Sequence, residues 1–307
     1  MTLLATVPRT PPREVRLRNS LTLLRPSGSR LAARTPTTTA LISKAVLPRL
    51  AIAARKRSPA LRSRATAAPQ FSAASVTNAA SFVNGPVAPG EIVTIFGTDL
   101  GPATLAALEL TADRLYVTKS LGGTRVLFDG VPAPMVYAMA SQVSAVVPFS
   151  VAGKASTEVQ IEYNGRTSSR VTVAVLAAAP GIFTLTSSGS GQAAILNEDF
   201  RVNGPSAPVA PGKYVIIFGT GGGQTTPSGE DARVPIGAAN VAAPVTVKIG
   251  GVQAEMIYAG AAPGLVTGVL QINAKIPDGV AAGSAPVVVT VGGISSQAGV
   301  TIFVAQK

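Results

Sequence analysis

The chain has 307 residues, room for about two domains, and its 47% apolar composition with 31 Gly and 24 Pro is that of a globular all-β protein rich in turns. Cysteine and histidine are both absent. Their absence removes disulfides, thiolate nucleophiles, Cys-based zinc sites and the commonest general base near neutral pH, and with them most hydrolase constellations. The formal charge of +12 sits at one end: residues 1–70 hold 14 Lys and Arg against the single acid Glu14, and the rest holds 12 bases against 13 acids. No broad phosphate-binding face is therefore expected on the body.

In chain order, residues 1–74 read as a basic arm. Arg9, Arg13, Arg16, Arg18, Arg25, Arg30 and Arg34 stand among Pro, Ser and Thr, with apolar runs too short to bury a core. The longest such run, 45–54, is broken by Pro48 and Arg49, short of a secretory h-region and of a membrane span. Ala65-Thr66-Ala67 has the look of a cleavage site, but Arg55-Lys56-Arg57 and Arg62 stand where its apolar run belongs. Three readings stay open: a disordered arm, which the composition favours, an atypical export signal, or an over-extended gene start. An arm of this charge has the means to bind nucleic acid or anionic lipid.

From Phe71 onward, short runs of Val, Ile, Thr and Phe alternate with Gly, Pro, Asn and Ser. One stretch occurs twice. Val87-Ala88-Pro89-Gly90 with 92–98 returns as Val209-Ala210-Pro211-Gly212 with 214–220, a shift of 122, and Gly130-Val131, Met135 and Tyr137 return as Gly251-Val252, Met256 and Tyr258, a shift of 121. A period this long denotes a duplicated small domain. Strands are expected in the first copy at 92–96, 124–128, 134–138, 143–147, 158–163 and 169–175, and in the second at 214–218, 245–249, 255–258, 269–275, 286–291 and 300–304. Asn164-Gly165 and its twin Gly292-Gly293, and Asp129-Gly130 and its twin Gly250-Gly251, are turn pairs tolerant of positive φ. Val159, Ile161 and Tyr163 alternate with Glu158, Gln160 and Glu162, so one face is packed and one is wet. The expected fold is all-β: two tandem immunoglobulin-like β-sandwiches, residues 75–178 and 179–307, the second including a structured connection across 182–202.

The run 88–101, the pairs Gly130-Val131-Pro132-Ala133 and Gly251-Val252-Gln253-Ala254, and strands ending at Pro148 and Pro277 resemble the IPT/TIG branch of immunoglobulin-like domains. With Thr77-Asn78-Ala79-Ala80-Ser81-Phe82, Ala179-Pro180-Gly181-Ile182-Phe183, Gly191-Gln192-Ala193-Ala194 and Leu270-Gln271-Ile272-Asn273, the pattern is similar to an uncharacterised C-terminal module of large secreted or surface acidobacterial proteins. The resemblance implies a non-enzymatic module with no catalytic residue to carry over. In that family the module commonly follows upstream repeats, whereas the residues before it here read as the basic arm.

Candidate sites divide as follows. Gly219-Thr220-Gly221-Gly222-Gly223 invites a phosphate-loop reading but lacks the Gly-Lys-Ser/Thr ending, so a wide glycine turn is expected. Asn197-Glu198-Asp199 offers oxygens too few for calcium and reads as a hairpin turn. Ser187 to Gly191 misses the nucleophile-elbow order and reads as a linker. Tyr137 and Tyr258 hold equivalent places that would rim a shared face, yet packing is the better expectation; Gln142 and Gln271, read as preceding matching strands, are treated alike. No catalytic, metal or cofactor residue is assigned. The expectation is a secreted or cell-surface module for adhesion, glycan contact or assembly, with a protein or glycan partner. The alternative is an intracellular nucleic-acid-associated protein whose arm binds and whose sandwiches dimerise.

Overall fold

The computed structural model describes residues 67–306, so the expectations for the arm before residue 67 lie outside the described residues. From Gln70, which exchanges two 3.0 Å backbone bonds with Thr98, the chain is tied to the first sandwich. One sheet there runs, in spatial order, Val76–Asn78, Ile92–Phe96, Gln142–Val146, Met135–Met139 and Ala106–Ala107. The facing sheet runs Val171–Ala174, Ser156–Tyr163, Thr124–Phe128 and Val131–Pro132. The second sandwich repeats this plan. Gly181–Ile182, Tyr214–Thr220, Leu270–Lys275, Met256–Ala261, Asn240–Val241 and Thr225–Thr226 form one sheet, to which Ile195–Asn197 pairs through Tyr214–Thr220. Gly191–Gln192, Val300–Val304, Gly283–Val291, Val245–Ile249 and Val252–Gln253 form the other.

The turn chemistry explains the hairpins. Asp129-Gly130, Asn164-Gly165, Gly250-Gly251 and Gly292-Gly293 all have positive φ at both residues, between 48° and 86°, the type I′ geometry whose twist matches the strands it joins. Both copies carry a bulge at the same place, between Met135 and Tyr137 and between Met256 and Tyr258. The connection expected across 182–202 is built into the second sandwich, with Ile195–Asn197 opposite Val215–Ile217.

Alternate residues fill each interior. Val93, Ile95, Val126, Phe128, Val143, Ile161 and their neighbours make the first core, and Val215, Ile217, Val247, Ile249, Ile272, Val289 and Ile302 the second. A third apolar cluster lies between the sandwiches. It joins Ile92, Val136, Tyr137 and Val146 of the first to Ile216, Phe218, Val266 and Val269 of the second, so each N-terminal sheet is buried on both faces along this seam. Phe218 is only 1% exposed. Phe218→Ala is expected to lower stability by about 3–5 kcal/mol, the range for emptying a fully packed aromatic site, read as a lowered urea midpoint; a loss below ~1 kcal/mol would mean the seam is not packed as described.

The two copies differ at one end of these strands. Positions equivalent to Ile92 and Val146 on the second copy's outer face are Tyr214 and Lys275. Lys275 faces Glu255 at 3.5 Å, and Tyr214 Oη donates to Glu255 at 3.3 Å. Ile92 and Val146 are thus apolar where their second-copy equivalents form a polar set.

Candidate functional site

Two long loops, 97–123 and 221–244, occupy equivalent places between matching strands and cross the seam to each other. In the first, a small hairpin pairs Leu110 with Val117, and Tyr116 then bridges to Arg233 of the second. Val117 N–H donates to Ala232 O and Val234 N–H to Leu115 O, both at 2.8 Å. At the same junction Ile92 N–H donates to Thr220 Oγ1 at 2.7 Å, and that hydroxyl donates to Gly268 O at 2.8 Å. Phe149 N–H donates to Asp231 Oδ1 at 2.8 Å.

These contacts leave a cleft of about 410 Å³ where the sandwiches meet. Gly90 and Phe149 of the first sandwich line it, with the 222–241 loop, Gly260-Ala261 and 267–270 of the second. Most of its wall is glycine, alanine and proline, so main-chain groups and C–H surface face the ligand space. Its charged groups form a closed set: Arg233 Nη1 donates to Glu230 Oε2 at 2.8 Å and Tyr116 Oη to Glu230 Oε1 at 3.0 Å. The guanidinium and the phenol hold the Glu230 carboxyl below the usual carboxylate range. Hydroxyls of Thr225, Ser228 and Thr267 and the exposed side chain of Ile236 complete the lining.

Beneath Gly90 lies a group that sequence reasoning passed over. Glu91 is 1% exposed. Its Oε1 accepts Asn78 Nδ2–H at 2.9 Å and its Oε2 accepts Ala88 N–H at 2.7 Å. Burial pushes the carboxyl up to about 8, against the opposing pull of those two donors. Asn78 Nδ2 also donates to Ala179 O at 2.9 Å, so the network reaches the segment joining the two sandwiches. The available signal was the twin: where the first copy has Glu91, the second has Lys213, which pairs at the surface with Glu198 at 2.7 Å.

The sequence candidates fall elsewhere. Gly219 and Thr220 continue their strand, which corrects the expected end at Phe218, and the glycines after them lie against the 177–181 segment rather than in a wide turn. Asn197-Glu198-Asp199 forms a hairpin turn: Asn197 N–H donates to Arg201 O, and Asn197 Nδ2 to Ala207 O at 2.9 Å. In Ser187 to Gly191, Thr184 Oγ1 accepts the N–H groups of Ser188 and Gly189. Tyr137 is buried at the seam, its hydroxyl 3.4 Å from Thr94 Oγ1, and burial pushes it up to about 12. Tyr258 instead donates to Ala261 O at 2.6 Å, so the equivalent tyrosines have different surroundings. Gln142 and Gln271 lie within strands, not before them, and are buried.

Fold and cleft define a tandem β-sandwich protein with a composite cleft at its seam. Among solved structures the chain is similar to SGBP-B from a complex xyloglucan utilization locus in Bacteroides uniformis, at 12% identity over 71% of this chain and 46% of that one, with a TM-score of 0.24. It is also similar to the Bacteroides ovatus mixed-linkage glucan utilization locus SGBP-B in complex with mixed-linkage heptasaccharide, at 15% identity over 82% of this chain and 48% of that one, TM-score 0.23. The chain thus spans about half the length of these structures. No family model and no curated protein matches it.

Proposed function

We propose that the protein is a non-enzymatic binding module of the cell surface or extracellular space, with IPT/TIG-type domains at 75–178 and 179–307, that contacts a glycan through the cleft at the seam. The observation that carries this reading is the cleft's chemistry. Its acid and base already satisfy each other, which suits an uncharged ligand and leaves Glu230 poorly matched to proton transfer near neutral pH. Side by side, the pair still offers acceptor and donor edges to neighbouring hydroxyls, while Phe149, Pro227, Pro235 and Ile236 offer C–H surface to a sugar face. A volume of about 410 Å³ lies within the range of small-molecule sites.

Calorimetric titration at pH 6 with soluble cello-, malto-, xylo- and mannotetraose tests it. At least one is expected to bind, with affinity falling about tenfold or more in Arg233→Ala, as for loss of a charged hydrogen bond, and vanishing in Ala238→Trp, which fills the cleft from its rim. Binding that survives both substitutions unchanged would move the site elsewhere, and no binding across the panel would end the glycan reading.

A further inference from the structure

Glu91 stands out against its surroundings. The segments that converge on it, 76–80, 86–90, 144–149, 177–182, 218–223 and 266–269, contain no ionisable side chain. Both carboxyl oxygens take N–H groups, and no cation among the described residues is bonded to it. A charge formed there would be shielded from bulk solvent and without a bonded cation among the described residues, so the favourable response to ionisation is to open the structure until solvent reaches it.

Three contacts make that response local. Asn78 Nδ2 donates both to Glu91 and to Ala179 O of the joining segment. The next residue, Ile92, gives its N–H to Thr220 of the second sandwich. The preceding residue, Gly90, is part of the cleft wall, and a Cβ on it would stand 2.7 Å from the Phe149 ring, so ring and glycine are in close contact. Hydrating Glu91 therefore means parting the seam directly beneath the cleft.

We propose that Glu91 is the proton-operated control of the cleft: with its carboxyl protonated the seam stays shut beneath Gly90, and loss of that proton opens the seam and dismantles the cleft wall, releasing the bound glycan. As a control on binding this rests on the cleft being the ligand site. The other ionisable groups at the junction are Tyr137, pushed up to about 12 by burial, Asp231, bonded to Phe149 N–H, and the set Tyr116, Glu230 and Arg233. Within that set Glu230 is drawn down, and Tyr116 and Arg233 are drawn up. Those shifts carry all three away from the range in which Glu91 titrates.

Hydrogen exchange by mass spectrometry on the full chain between pH 6 and 9.5 decides the matter without any ligand. Peptides covering 86–92, 144–149, 177–183 and 266–270 are compared with core peptides covering 124–128 and 245–249 of the same molecule, which cancels the intrinsic pH dependence. The ratio of seam to core exchange is expected to rise about tenfold per pH unit from pH 6 to about pH 8 and to level off above it in the wild type, and to remain level throughout in Glu91→Gln. A wild-type ratio that stays level throughout overturns the proposal even if the variant does not fold, and an equal rise in Glu91→Gln overturns it by assigning the opening to another group. A seam-to-core ratio that rises up to about pH 8, together with no oligosaccharide binding at pH 6, would uphold the proton control of the seam and end only the glycan reading.

Discussion

The protein is expected to melt at a lower temperature at pH 9 than at pH 5, the reverse of what its other shifted carboxylates produce. Glu91 is raised by burial from 4.5 to about 8. Between those values the folded chain holds a proton that the unfolded chain has released, so stability falls as pH rises through the window and levels off above it. At about 1.4 kcal/mol per unit the full effect is on the order of 5 kcal/mol, or roughly 10 °C in a body of this size. It is an upper bound, because opening the seam hydrates the carboxylate without unfolding either sandwich. Asp113, Asp129 and Glu230 are lowered, so their contributions are present above the unfolded values and are lost only as pH falls through the folded ones. The optimum therefore lies near the lower edge of the Glu91 window. Glu91→Gln is expected to cross the wild type: less stable at pH 5, where an amide N–H replaces an acceptor opposite Asn78 or Ala88, and more stable at pH 9, where the wild type carries the buried charge. Calorimetric scans of both chains at the two pH values check this. A wild type that is equally stable at both would show that Glu91 is hydrated in the folded protein.

Much of the fold was legible because its signals are local. Strands at 92–96, 124–128, 245–249 and 300–304 lie where alternation placed them, and the four turn pairs needed only residues tolerant of positive φ. The seam was missed, although its signal was present. Glu158 to Tyr163 alternates cleanly, as a half-buried strand does, whereas Tyr214-Val215-Ile216-Ile217-Phe218 is an unbroken apolar run, the pattern of a strand covered on both faces. The duplication also begins before Val87 and Val209: Val83-Asn84-Gly85-Pro86 returns as Val202-Asn203-Gly204-Pro205, and Asn78 and Asn197 lie opposite Val93 and Val215. The cleft had no comparable signal. Its wall is loop main chain brought together by the meeting of two copies, and a single Glu and Arg three residues apart are common on any surface. Glu91 was hidden for a related reason, because a carboxylate beside Pro-Gly reads as an exposed turn until a second sheet covers it.

The other large effect is expected at Gly221, where replacement by alanine should destabilise the protein by several kcal/mol. Gly219, Gly221 and Gly223 lie beside alternate residues of the segment that joins the sandwiches. A Cβ at these positions would fall 2.4 Å from Gly181 O, 1.8 Å from Ala179 O and 2.1 Å from Ala177 O. The pairing that produces this approach includes Ala179 N–H donating to Gly221 O at 2.9 Å and the ladder of Gly181–Ile182 against Gly219 and Thr220. A side chain on Gly221 meets backbone, which cannot turn aside as a flexible side chain can, and it must also adopt a φ of +77°. The left-handed conformation alone costs about 1 kcal/mol for alanine. Gly165 separates the two effects, since it has the same φ of +77° and a Cβ there would meet nothing within 4 Å. Gly165→Ala should therefore cost about 1 kcal/mol, and Gly221→Ala about 3 kcal/mol or more, in the class of overpacking and backbone strain. Urea denaturation of the two variants measures the difference. Equal losses would mean that the joining segment moves aside freely, and the account of the glycine lane as the track that seats it would fail. A larger loss at Gly221, with faster exchange in 177–183 and unchanged exchange in 124–128, would locate the damage at the seam and leave the first core intact.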